Sequence, residues 1–239
     1  MSTLTQADSR SVQPAAPPDI GALRRLGAWF VAASVLWWIA AAALIPDDDF
    51  FLGETARDEA LSIAQHDGLF RAFHVVAALG TAAGAVGVVL LARWLRARRR
   101  SRLADAAAVV AKVALGAWIV EVAIRMTATA SQAHDVASGA RSPTDEPAIG
   151  SWIVFAVAAL GFLMPMVCSW VLAHHRVPGR RSSMIVAGLV TLVTIAGVAT
   201  LAPSVVYQFG LLPLGLTLVL AHRRTSRSPS VSPVASMTG

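Results

Sequence analysis

Charge is scarce in this chain: Asp, Glu, Lys and Arg make up 14% of its 239 residues, against about 25% in soluble globular proteins. That shortage excludes an ordinary soluble domain, whose surface must be dressed for water. Lysine is nearly missing, since of the 20 basic residues all are Arg except Lys112. With the Ala-rich apolar stretches, this bias points to GC-rich coding and a bacterial source. A lone cysteine, Cys168, excludes an intrachain disulfide, and neither CxxC nor any Cys/His ligand spacing occurs. No metal or other cofactor is therefore expected. GxSxG, HExxH and phosphate-cradling glycine loops are also missing, as are paired intramembrane aspartates. No catalytic residue is assigned, and the chain reads as a non-enzyme.

What the chain has in abundance is apolar sequence: 56% of residues are hydrophobic and the mean hydropathy is +0.62. The apolar residues fall into six runs, at approximately 26–45, 69–92, 106–128, 151–173, 184–202 and 204–221. Each is near the ~20 residues an α-helix needs to cross the hydrocarbon of a bilayer. The expected fold is all-α, a polytopic membrane protein with six transmembrane helices in one domain over 23–222. The Ser/Pro-rich stretches 1–22 and 223–239 read as disordered tails. A secretory signal peptide competes for the first run. Its ~20 apolar residues exceed the roughly 7–15 of a signal core, which favours a retained span.

Orientation follows from counting arginines. Arg10, Arg24 and Arg25 precede span one, and six Arg lie in 93–102 between spans two and three. Arg176, Arg180 and Arg181 follow span four, while Arg223, Arg224 and Arg227 follow span six. That places fifteen on one side and only Arg57, Arg71, Arg125 and Arg141 on the other, where residues 47–67 add seven acidic groups. Basic residues concentrate on the cytoplasmic side, so both termini are expected inside and the membrane is expected to be the bacterial plasma (inner) membrane. The pI near 11.1 thus reflects loops flanking spans, and no nucleic-acid partner is expected.

Two outer segments carry local signals. In ETARDEALSIAQ, Thr55 and Asp58 have capping-box spacing, and Ala56, Ala60, Ile63 and Ala64 share one helical face. This predicts a short helix lying along the outer interface. The segment 129–150, polar and with two prolines, reads as a loop.

Ionisable groups within spans are costly and mark functional candidates. In GAWIVEVAIRM, Glu121 and Arg125 lie one helical turn apart in the outer third of span three. Span two runs the opposite way and brings Arg71 and His74 to the same level. Two readings stand. Glu121 and Arg125, spaced i,i+4 with the acid first, can simply neutralise each other. Alternatively Arg71, His74, Glu121 and Arg125, with Tyr207 and Gln208 at the start of span six, line an outer pocket for a polar or charged ligand. Trp118, near one turn before Glu121, can wall such a pocket. Trp29, Trp37, Trp38, Trp94, Trp152 and Trp170 read as the aromatic belt. In GTAAGAVG, Gly80 and Gly84 have the spacing of a close helix contact, offering a face for a membrane partner or a second copy.

The stretches RRLGAWF before span one, HDGLFRAF opening span two, LARWLRARRR after it and VPGRRSSMIVAGLV opening span five resemble a group of six-span bacterial membrane proteins without an assigned function. The resemblance covers most of 24–222. It implies an integral membrane protein and carries over no catalytic residue; the long 129–150 segment departs from the group's usual pattern. The functional expectation is binding or transport of a small polar or charged ligand or lipid headgroup. The alternative is a structural or regulatory subunit of a membrane complex.

Overall fold

The computed structural model describes residues 20–46, 55–98, 101–142, 149–177, 179–199 and 206–225. Nearly all of both expected tails, and residues 47–54 and 200–205 between apolar runs, lie outside these residues. The chain is all-α, with no strand among the described residues. In order come α1 (Ile20–Ala43), α2 (Ala56–Gln65), α3 (Asp67–Arg98) and α4 (Arg102–Ile124). A π-helical turn at Arg125–Thr129 carries α4 into α5 (Ala130–Ala137). Then follow α6 (Ile149–Ala159), a 3-10 turn (Leu160–Leu163), α7 (Met164–His174) and α8 (Arg180–Ala199). A second π-helical turn, Val206–Gly210, opens α9 (Leu211–Thr225).

Five helical runs are long and apolar enough to cross a membrane: Gly21–Ala43, Asp67–Ala97, Arg102–Ala137, Ile153–His174 and Arg180–Ala199. Val206–Leu220 is a shorter apolar helix. Packing follows chain order and closes on itself. α1 lies between α3 and α9, α3 lies against α4, α4 against α6 and α7, α7 against α8, and α8 against the 206–210 turn and α9. Lipid tails compete equally for apolar side chains, so helices in a bilayer associate through close fit rather than hydrophobic exclusion. The fit here is made by glycine. The α1–α9 seam brings backbone to backbone, as a Cβ built on Gly27 would lie 2.6 Å from the Gly215 carbonyl oxygen. Along the α1–α3 seam, Gly80 makes room for the Trp37 indole and Gly87 for the Phe30 ring. Gly84 receives Tyr207 from the last segment. The two glycines of GTAAGAVG are therefore filled from within the chain. The outward surface is apolar instead: on α8, Ile185, Leu192, Ile195 and Val198 are exposed, a face suited to lipid.

α2 forms as its sequence predicts. Thr55 accepts from the Asp58 backbone N–H, and the Asp58 side chain returns the bond to the Thr55 N–H, completing the capping box. The expectation for 129–150 needs correction, because the chain stays helical as far as Ala137. Ala130 and Ala133 pack with Ile63 and Phe70 into a small apolar cluster separate from the main core. That contact holds polar sequence in a helix which its own composition does not require.

Proline explains the irregular turns. Pro165 offers no N–H to the preceding turn, and the chain tightens to 3-10 over Leu160–Leu163 just before it. Pro213 stands after the Val206–Gly210 turn in the same way. There the Gln208 carbonyl accepts the Ser34 hydroxyl at 2.6 Å and the Trp38 indole N–H at 3.1 Å, tying the first helix to the last. Ser34 is completely buried. Ser34→Ala is expected to cost about 1 kcal/mol, read as a lowered midpoint of thermal unfolding in detergent; an unchanged midpoint contradicts this role.

Candidate functional site

The end of the bundle that carries α2 holds Glu121 and His74, a buried carboxyl and a buried imidazole among the described residues. Glu121 comes from α4 and is fully buried. Its Oε1 accepts the Arg125 Nε–H at 2.8 Å, with side-chain exposures of 1% for Glu121 and 35% for Arg125. Arg125 opens the π-helical turn, one helical turn nearer the end of the bundle. The pairing is monodentate through Nε, so the two terminal amino groups of Arg125 donate to no described residue. The other carboxylate oxygen, Glu121 Oε2, is buried and has no hydrogen-bond donor among the described residues. An anion held by one donor in an enclosed site is incompletely solvated.

The remaining expected residues distribute unevenly around this pair. His74 is buried. Its Nδ1 lies 2.8 Å from the Phe70 carbonyl oxygen and its ring lies against Phe70 and Phe73. It feels the positive charge of Arg125. Arg71 stands apart: its Nε donates to Asp67 on its own helix at 2.9 Å, and its side chain is 45% exposed. Gln208 takes part through its backbone carbonyl, as described above. Tyr207 is buried among rings. Arg71 and the Gln208 carbonyl are thus engaged away from the pair, while His74 is near enough to feel the charge of Arg125.

Below the pair lies a cluster of rings drawn from all round the bundle. Trp37 of α1 meets Phe73, Trp118, Phe162 and Tyr207 at centroid separations of 6.3, 5.9, 6.2 and 6.1 Å. Phe162 adds edge contacts to Trp118 and Tyr207, geometry that aromatic quadrupoles favour. Trp118 is one turn from Glu121 on the same face of α4, so this cluster floors the carboxylate. The indole N–H groups of Trp37 and Trp118 are buried without a hydrogen-bond acceptor among the described residues. Assigning Trp37 and Trp94 to an aromatic belt is corrected here: they are 2% and 9% exposed. Trp29, Trp38 and Trp170 are exposed as that reading expects, and the Trp152 side chain lies outside the described residues.

One group escaped the sequence reading. Glu59 of α2 is half-buried, and burial pushes its carboxyl above the usual carboxylate range while the nearby Arg125 charge opposes the rise. The available signal was its i,i+4 spacing from Ile63, the residue that anchors α2. No family model, no curated protein and no solved structure matches the chain.

Proposed function

We propose that the chain is a six-span protein of the bacterial plasma membrane, with both termini cytoplasmic, that binds or transports a small polar or charged ligand or lipid headgroup at its outer end. The fifteen arginines against four support the orientation; the short apolar helix Val206–Leu220 supplies the sixth span. Under that orientation α2 and Arg125 lie at the outer face. One observation carries the reading. A fully buried carboxylate grips Arg125 by Nε alone, and the planar fork of terminal amino groups on this 35% exposed side chain makes no hydrogen bond to a described residue. Such a fork matches phosphate or carboxylate oxygens in bidentate fashion. Glu121 thus positions the guanidinium, and Arg125 makes the contact.

The test uses the detergent-solubilised full chain and dihexanoyl phosphatidylglycerol, a short lipid with an anionic phosphate. It is expected to raise the unfolding midpoint in a saturable way. Arg125→Lys keeps the charge, loses the fork and should weaken the apparent affinity by about tenfold. If Arg125→Lys and Arg125→Gln both respond as the parent chain does, the site is lost. The alternative of an accessory subunit docking through GTAAGAVG has less support, since Gly80 and Gly84 already face Trp37 and Tyr207.

A further inference from the structure

The outer-end site has a second carboxylate, and its placement narrows the ligand class. In the π-helical turn the Ala130 N–H bonds to the Arg125 carbonyl, a five-residue step that sets Arg125 beneath Ala130. Ala130 packs with Ile63 of α2, and Glu59 is one turn from Ile63 on the same side of α2. A single chain of contacts, from Arg125 through Ala130 and Ile63, therefore sets Glu59 on the Arg125 side of α2. The positive charge of Arg125 acts on the Glu59 carboxyl. Even so, the ion pair of Arg125 among the described residues is made with Glu121, and Glu59 is not drawn into it. Among the described residues the terminal amino groups of Arg125 make no hydrogen bond, the half-buried Glu59 carboxyl feels the Arg125 charge, and the fully buried Glu121 Oε2 has no donor. Among the described residues the two carboxyl groups of Glu59 and Glu121 stand against the one guanidinium of Arg125, and a second cation would balance them.

We propose that Arg125 and Glu59 form the two poles of a seat for a zwitterion, with an anionic phosphate or carboxylate on the Arg125 fork and a primary ammonium, a few bonds away, on Glu59. This rests on the Arg125 site proposed above. Glu121 is a positioning residue, holding Nε so that the terminal amino groups face the ligand. A purely anionic ligand would satisfy Arg125 and leave Glu59 facing its own sign of charge. A purely cationic ligand would face the guanidinium. A zwitterion answers both, and the ammonium supplies the missing charge. Two sources carry this chemistry: a phosphatidylethanolamine headgroup at the outer interface, and a free amino-acid-like or phosphoethanolamine solute.

The experiment compares three probes on the detergent-solubilised full chain by saturable thermal stabilisation: dihexanoyl phosphatidylethanolamine, dihexanoyl phosphatidylglycerol and free O-phosphoethanolamine. Phosphatidylethanolamine is expected to bind about tenfold more tightly than phosphatidylglycerol, the strength of one added charged hydrogen bond. Glu59→Gln should erase that preference by weakening phosphatidylethanolamine binding and tightening phosphatidylglycerol binding, whose phosphate no longer faces a like charge; a saturable phosphatidylglycerol response also shows the variant is folded. Equal affinities in the parent chain, or a preference that survives Glu59→Gln, overturns the zwitterion seat and leaves the anion site standing. Absence of any phosphatidylglycerol response removes the anion site itself. O-phosphoethanolamine binding as tightly as the lipid supports the seat with a free solute as its source; weaker binding supports it with the lipid headgroup.

Discussion

Arg125→Leu is expected to destabilise the folded chain by about 3–5 kcal/mol, because it strands the Glu121 carboxylate in an enclosed site. Glu121 is 1% exposed and takes its one hydrogen bond from Arg125. Glu121→Leu should cost far less, on the order of 1 kcal/mol or below, although it breaks the same ion pair. Arg125 is 35% exposed, and its long side chain can carry the freed guanidinium outward to water or headgroups. The double variant, with Leu at both positions, should recover most of what Arg125→Leu loses, since a matched apolar pair leaves no buried charge. Unfolding midpoints of the three variants in one detergent decide the matter. Equal losses for the two single variants would mean that both groups are equally enclosed, or equally free.

The second large effect lies at the α1–α9 crossing. Gly27→Ala is expected to cost about 3 kcal/mol or more, beyond ordinary overpacking. The added methyl would stand 2.6 Å from the Gly215 carbonyl oxygen and 2.9 Å from the Val219 backbone nitrogen. Backbone cannot rotate away as a side chain can. Gly215→Ala meets the Gly27 carbonyl oxygen at 2.8 Å and should behave alike. Gly116→Ala, where nothing lies within 4 Å, is the control. It should be neutral or stabilising by about 0.5–1 kcal/mol, as Ala for Gly is in a helix interior. Folded yield and unfolding midpoint separate these cases; a tolerated Gly27→Ala would mean the first and last helices do not cross there.

Much of the architecture was legible in the order of the residues, because a spanning helix announces itself by length and apolarity alone. The five long runs, the helix at 56–65 with its capping box, and the i,i+4 pairing of Glu121 with Arg125 all depend on neighbours within one or two turns. Features that depend on partners far along the chain were not legible. Trp37 reads as a belt residue by its distance from the span end; only the space left by Gly80, some 40 residues later, draws its ring inside. The helical course of 130–137 depends on Ile63 and Phe70, which no local pattern reveals. The antiparallel reading puts Arg71 and Glu121 at one level. Level does not set direction, however, and the Asp67 carboxylate one turn away turns Arg71 outward. Glu59 was hidden for the same reason: its role depends on where α2 lands.

Binding of an external ligand at Arg125 requires that this end of α4 face the outside of the cell. The most direct measurement is cysteine accessibility in right-side-out membrane vesicles, in a Cys168→Ser background, with a membrane-impermeant thiol reagent. Ala128→Cys, exposed just beyond Arg125, should label in sealed vesicles. Ala97→Cys, within the basic segment and also exposed, should label only after permeabilisation. The reverse pattern would put Arg125, Glu59 and the proposed seat on the cytoplasmic side and contradict the account.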